Sequence, residues 1–185
     1  MVHQGKESPA VIARKGRMTN LKFLASYSGE STDELISMGL DHRIDSLVMA
    51  FEEALGKKAY QLGDASLSWP ERVILAVEAL EREVNNGGFE QFFLNSSKEY
   101  ASVIVEALSA IDCPNTAAVT VDALEALQIS GEITESAIDD AMARADRTVF
   151  DRLAGCDGRY YEFSEDIAGK LFSFIRENKE LIRLA

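Results

Sequence analysis

The sequence has few of the residues that build metal centres, disulfide frameworks or nucleophilic sites. Among 185 residues there are two cysteines, two histidines and three prolines. Neither His3 nor His42 belongs to a cluster with metal-ligand spacing, and no phosphate-binding loop or zinc-protease motif is present. Cys113 and Cys156 have no CxxC partner, so we expect buried or half-buried thiols in a reduced compartment. The sequence therefore predicts no metal, no cofactor and no catalytic residues.

Long apolar runs are also lacking. No segment approaches the roughly 18 uninterrupted apolar residues of a membrane span. The first residues carry charge but lack the apolar stretch of a signal peptide. We therefore expect a cytoplasmic protein that does not contact membranes.

Positive charge is scarce, and what there is lies unevenly along the chain. Lysine and arginine number 19 against 31 aspartate and glutamate, a net charge of −12. Residues 1–22 carry five cations and one anion, which leaves a net charge of −16 on residues 23–185. Such a chain repels nucleic-acid phosphates and anionic lipid headgroups, so direct binding to nucleic acid or membrane is excluded.

Apolar residues recur with the 3.6-residue period of helices, and no strand pattern competes. We predict an all-α fold: one compact domain of about seven to eight helices over residues 31–185, preceded by a basic N-terminal arm over residues 1–30. The predicted helix starts are Ser31 with Glu34, Asp41, Ser68 with Glu71, Ser96 or Ser97, and Ser164. The predicted stops are Gly39, Gly56, the segment 85–88, the segment 113–115, Gly131 and a loop over 155–158. One helix is expected to run uninterrupted over 134–153.

One segment stands out, with the sequence NNGGFEQFFLN over residues 85–95. A glycine can close one helix in the left-handed conformation, and a second allows the next helix to leave at a sharp angle. The amides then have two interpretations: they cap helix ends, or they line a polar pocket.

This segment resembles the signature of a bacterial helical family of unknown function that is named after a DNA-mimic protein. The resemblance covers roughly residues 45–180 and includes Trp69–Pro70, the segment 150–153 and the segment 157–161. It implies a helical fold, and the DNA-mimic member is a dimer that displays carboxylates in place of phosphates, so a homodimer is one option here. The motif residues are interpreted as structural; they are Asn85, Asn86, Gly87, Gly88, Phe89, Gln91, Phe92, Phe93, Asn95, Tyr160 and Tyr161.

Helical carboxylates three or four residues apart stand about 5–6 Å from one another, so rows of them can approximate a strand of phosphates. The candidate partner-binding residues are Glu71, Glu78, Glu81, Glu83, Asp139, Asp140, Asp146, Asp157, Glu162, Glu165 and Asp166. Arginines such as Arg82 and Arg144 interrupt two of these rows, and an acidic surface that only confers solubility is the alternative.

Three functional hypotheses follow. The first is a non-catalytic acidic interaction module, a DNA mimic that binds a basic DNA-binding protein or transcription regulator. The second is a polar small-ligand pocket, or an uncharacterised enzymatic activity, near the segment 85–95. The third is a helical inhibitor of the immunity-protein or antitoxin type.

Overall fold

The computed structural model describes residues 21–163 and 165–184, and these residues form one all-α domain, as the sequence predicts. They contain eight α-helices and three short 3₁₀ turns; apart from an isolated backbone bridge between Lys22 and His42, no β-pairing occurs among them. The helices are α1 (Thr32–Met38), α2 (Ile44–Leu62), α3 (Trp69–Leu94), α4 (Ile104–Ala110), α5 (Pro114–Ala126), α6 (Glu135–Arg144), α7 (Arg147–Phe163) and α8 (Ile167–Glu177).

Helix α3 is the centre of the domain. It packs against α2, α4, α6, α7 and α8, so most of its circumference faces other helices. Phe89, Phe92 and Phe93, near its C-terminal end, are fully buried. A helix surrounded on nearly every side has no wide solvent face, and its polar residues must find partners inside the protein.

Two predicted helix starts are confirmed, and both are capping boxes. At each of them a serine accepts from a main-chain N–H three residues later, and the glutamate at that position accepts from the serine N–H. Ser31 and Glu34 begin α1, whereas Ser68 and Glu71 begin α3.

Other predicted boundaries are wrong. Helix α2 is preceded by Arg43 instead of Asp41 and continues through Gly56 to Leu62, because an exposed helical glycine costs only about 1 kcal/mol. Residues Ser96–Tyr100 form a 3₁₀ turn before α4, and the helix expected over 134–153 is divided into α6 and α7.

The loop expected over residues 155–158 is instead the middle of α7. Both of its glycines tolerate a Cβ and neither has a positive φ, so nothing in the backbone requires a break. The expected cap of the last helix, Ser164, lies outside the described residues. Asp166 caps this helix by accepting from the Gly169 N–H at 3.1 Å.

The described part of the predicted N-terminal arm lies against the domain. Lys22 exchanges two main-chain hydrogen bonds of 2.8 Å with Asp41 and Arg43, and Tyr27 is buried. The remaining arm residues, 1–20, lie outside the described residues. Cys113 and Cys156 are both buried free thiols, which confirms that expectation. In the described part of the chain, no helix combines the length and hydropathy that crossing a bilayer demands.

Candidate functional site

The segment 85–95 forms a sharp corner within α3. Helical geometry is interrupted at Gly87 and Gly88, and Gly88 has a φ of +77°. A Cβ on Gly88 would lie 2.3 Å from Asp157 Oδ2, while Asp157 Oδ1 accepts from the Phe89 main-chain N–H at 2.8 Å. The corner therefore needs glycine both for its backbone conformation and for the close approach of α7. Asp157, a predicted partner-binding residue, is instead a half-buried acceptor at the corner.

Aromatic residues fix the corner against α7. The Tyr160 ring meets the Phe89 ring edge-on, with centroids 6.0 Å apart, and Tyr161 follows with its ring 5.7 Å from that of Tyr160. The Tyr161 hydroxyl donates to the Val84 carbonyl at 2.7 Å, near the end of the first part of α3. These contacts explain why the motif pairs a phenylalanine corner with two later tyrosines.

The amides of the motif surround one buried carboxylate. Glu83 accepts from Gln91 Nε2 and Asn95 Nδ2 at 2.7 Å each, and from Ser97 Oγ at 2.8 Å. Burial alone would raise the pKa of Glu83, but these three hydrogen bonds, together with the charge of Arg82 3.7 Å away, outweigh it, so the pKa lies below its usual range. Gln91 and Asn95 thus have a structural role, although their amides bind a carboxylate and do not cap helix ends as the first interpretation predicts.

The two other asparagines behave differently. Asn85 Nδ2 donates to the Glu81 carbonyl at 2.8 Å, a helix-end contact, and leaves its own carbonyl oxygen available. Asn86 is exposed. Asn85 therefore satisfies a helix carbonyl and also borders the pocket described below.

Three carboxylates expected on an exposed row are buried, and that expectation is wrong. Glu71 binds the Lys58 ammonium at 2.8 Å and accepts from the main-chain N–H groups of Ser68 and Arg183. Glu83 is the acceptor of the amide cluster. Glu78 is 7 % exposed, and burial, reinforced by Glu52 and Glu81, raises its pKa to about 8. All three lie on α3. The sequence pattern places them on the solvent side of that helix, but neighbouring helices cover this side.

Most of the remaining predicted partner-binding residues are engaged within the protein. Asp139 pairs with Lys98. Asp146, Glu165 and Asp166 accept from main-chain N–H groups at the starts of α7, α5 and α8. Asp140 and Glu162 are exposed, and no ion pair joins either of them to a described residue. Among the predicted partner-binding residues, only Asp140 and Glu162 are therefore exposed carboxylates without an ion pair or a hydrogen bond to a described residue.

A separate acidic patch, formed by Asp64, Glu99 and Glu135, was missed. The three carboxylates line one depression together with Arg72 and Tyr100, and all three are exposed. Partial burial, then the charges of Asp64 and Glu135, raise the pKa of Glu99. The residues come from three separate elements, so no spacing along the chain could have indicated that they meet.

The corner also borders a small open pocket, which we call the corner pocket. Its lining residues are Glu81, Asn85, Thr116, Tyr160, Tyr161, Glu165 and Ile167, around a volume of about 170 Å³. Burial raises the pKa of Glu81 to about 7. The Tyr160 hydroxyl is buried, and no group in the described part of the chain hydrogen-bonds to it. Within the same residues, no cluster of three or more histidine, cysteine or acidic side chains could hold a metal ion.

One family of known proteins is similar to most of the helical domain. No curated protein matches the chain. The model of one family, described as DMP19-like protein, matches residues 65–178, which include α3 with its corner, α7 with its tyrosines and all of α8. This match spans well over half of the sequence. The chain therefore belongs to the DMP19-like protein family.

Proposed function

We propose that this protein is a cytoplasmic, non-catalytic interaction module that binds a basic DNA-binding protein by presenting carboxylates where that partner would otherwise meet DNA phosphates. The observation that carries the proposal is membership of the DMP19-like family together with the net charge of −16 on residues 23–185. Opposite charge steers association and selects against acidic partners, so a cationic surface is the matching one.

The acidic patch of Asp64, Glu99 and Glu135 is the region that we assign to the partner. Burial raises the pKa of Glu99, and the charges of Asp64 and Glu135 raise it further; no lysine or arginine of the described chain forms an ion pair with any of the three. Three like charges around one depression outnumber its single cation, Arg72, and a cationic partner would relieve the remaining repulsion. Asp140 and Glu162 add exposed charge elsewhere on the domain.

The test compares two variants of equal net charge. The patch variant carries Asp64→Asn, Glu99→Gln and Glu135→Gln, whereas the control carries Glu106→Gln, Glu125→Gln and Glu177→Gln, which are exposed residues on other helices. Immobilised wild-type protein should capture DNA-binding proteins from a bacterial lysate at low salt, and duplex DNA should compete for them.

Capture should weaken steeply between low and high salt, because screening shortens the range of exposed charges. The patch variant should lose most of the capture and the control should keep it. Equal capture by both variants would refute the assignment of the patch, and capture that duplex DNA does not reduce would refute mimicry.

The two other functional hypotheses remain predictions. The small-ligand hypothesis has a physical basis in the corner pocket, although Gln91 and Asn95 do not line it. No observation on the structure favours an immunity-type or antitoxin-type inhibitor over the DNA mimic.

A further inference from the structure

The corner pocket is rich in hydrogen-bond acceptors and poor in donors. Asn85 has committed an amide hydrogen to the Glu81 carbonyl, and Thr116 donates its hydroxyl to Glu165. What remains for a ligand are the Glu81 carboxyl and the Asn85 side-chain carbonyl, because Glu165 already accepts four hydrogen bonds from Asn115 and Thr116. No described residue donates to the Glu81 side chain or pairs with it. A ligand that fits here must donate several hydrogen bonds.

Tyr160 provides the independent sign that something is bound. Its side chain lines the pocket, the residue is only 7 % exposed, and its hydroxyl is the one buried side-chain polar atom of the described residues without a hydrogen-bond partner. Buried polar groups are nearly always satisfied in native proteins, so an unsatisfied one at the wall of a pocket indicates a missing partner. Tyrosine can accept as well as donate, which suits a donor-rich ligand.

The size and lining of the pocket narrow the ligand further. A volume of about 170 Å³ is below the ~300 Å³ at which pockets for whole small molecules begin, and it suits a single side-chain head group. A guanidinium has five N–H donors, no acceptor and flat apolar faces that stack on aromatic rings such as Tyr161. An ammonium is more strongly hydrated and more costly to desolvate.

We propose that the corner pocket binds the guanidinium group of one arginine side chain of a protein partner, held between the Glu81 carboxyl, the Asn85 side-chain carbonyl and Tyr160. This inference rests on the proposed function, since a DNA-binding protein contacts phosphates largely through arginine and lysine. It assigns to the domain a specific contact in addition to the diffuse attraction of the acidic patch. The acidic patch sets the encounter, and the pocket selects arginine over lysine.

The test measures the binding of defined probes to the full-length protein by NMR titration. The first probe is N-acetyl-arginine amide, compared with the citrulline analogue, which has the same shape without charge, and with N-acetyl-lysine amide. The second is a neutral peptide with a single arginine, compared with the same peptide carrying citrulline. The variants are Glu81→Gln and Tyr160→Phe. Glu90→Gln is the matched control, because Glu90 is exposed on the same helix and lies outside the pocket.

Both arginine probes should bind saturably, with shifts at α7 residues beside the pocket. Affinity should fall about tenfold or more in Glu81→Gln, because a charged acceptor is lost. It should fall about threefold or more in Tyr160→Phe, because a neutral acceptor is lost. Glu90→Gln should bind as the wild type does. Equal binding of citrulline or lysine, or full affinity in Glu81→Gln, would overturn the proposal.

Two further outcomes separate the possible sources and the two proposals. Binding of the free arginine amide without binding of the peptide would overturn the protein partner and indicate a small metabolite. If the patch variant loses lysate capture but no arginine probe binds, only the arginine-pocket proposal is refuted. Saturable arginine binding with no capture of basic proteins would refute the mimic alone.

Discussion

The substitution Glu83→Gln tests whether the amides of the family motif exist to hold a buried carboxylate. Gln91 and Asn95 donate to one carboxylate oxygen and Ser97 donates to the other. Glutamine has nearly the same shape, but it has only one acceptor oxygen and no charge. If its oxygen faces the two amides, its NH₂ group faces Ser97, which must then turn its hydroxyl to accept.

The expected cost follows from those three contacts. A hydrogen bond to a charged group contributes about 1.5–3 kcal/mol, against about 1 kcal/mol for a neutral one. The substitution turns the hydrogen bonds from Gln91 and Asn95 from charged into neutral ones, and it replaces the bond from Ser97 by a weaker one. We therefore expect the free energy of unfolding to fall by about 2–3 kcal/mol at neutral pH, with no loss of the helical far-UV spectrum.

The effect should also depend on pH. The folded pKa of Glu83 lies below its usual value, so the carboxylate stabilises the fold above the unfolded pKa near 4.5. That contribution is lost as the pH falls through the lower, folded pKa. The difference between wild type and variant should therefore be full at pH 7 and should shrink in acid.

Urea unfolding followed by circular dichroism measures both quantities. Glu90→Gln, with the same chemical change at an exposed position of the same helix, should shift the free energy of unfolding by less than about 0.5 kcal/mol. A Glu83→Gln variant as stable as this control would refute the structural assignment. So would a difference from wild type that persists unchanged at low pH.

Four further substitutions probe the corner and the core. Gly88→Ala should destabilise the protein by about 2 kcal/mol or more, because it combines a positive φ with a clash against Asp157. Gly155→Ala, in the open middle of α7, should stabilise the protein by about 0.5–1 kcal/mol, and thermal melts compare the two variants. The wild type should lose stability as the pH rises from about 4.5 to 8, because folded Glu78 retains a proton that the unfolded chain releases; the pKa shift corresponds to about 5 kcal/mol. Glu78→Gln should abolish this pH dependence, and urea titrations across that range measure it. Tyr160→Phe should raise the free energy of unfolding by about 1 kcal/mol in the absence of ligand, since it removes an unsatisfied buried hydroxyl, and the same melts would contradict the pocket argument if they showed a loss.

The parts of the fold that the sequence predicts correctly are those determined by local contacts. A capping box places its serine and glutamate three residues apart in the chain, so Ser68 with Glu71 is recognisable before any tertiary structure is known. The apolar period gives the buried side of each helix for the same reason. Glycine is less informative, because Gly88 is required by a side chain 69 residues later, whereas Gly56 and Gly155 lie in uninterrupted helices.

The sites depend on contacts between distant segments, and there the sequence is least informative. Asp64, Glu99 and Glu135 meet because the 3₁₀ turns and α6 come together at one depression. The corner pocket similarly combines the part of α3 before its corner with the start of α5, the end of α7 and the start of α8. Residues 69–84 appear amphipathic in sequence, but burial of both sides of α3 moves three of its glutamates into the protein.

Net charge therefore has to be divided by what each carboxylate does before it can support a function. Glu71 and Glu83 are held by internal donors, and Asp146, Glu165 and Asp166 cap helices, so none of these five needs a partner. These carboxylates stabilise the fold and would be required whatever the protein bound. Uncompensated carboxylates lie at the acidic patch and in the corner pocket, and exposed ones such as Asp140 and Glu162 lie elsewhere on the domain. The proposed DNA-mimic function assigns the partner contacts to the acidic patch and the corner pocket, so neutralising these groups should affect partner binding more than neutralising an equal number of other exposed acids.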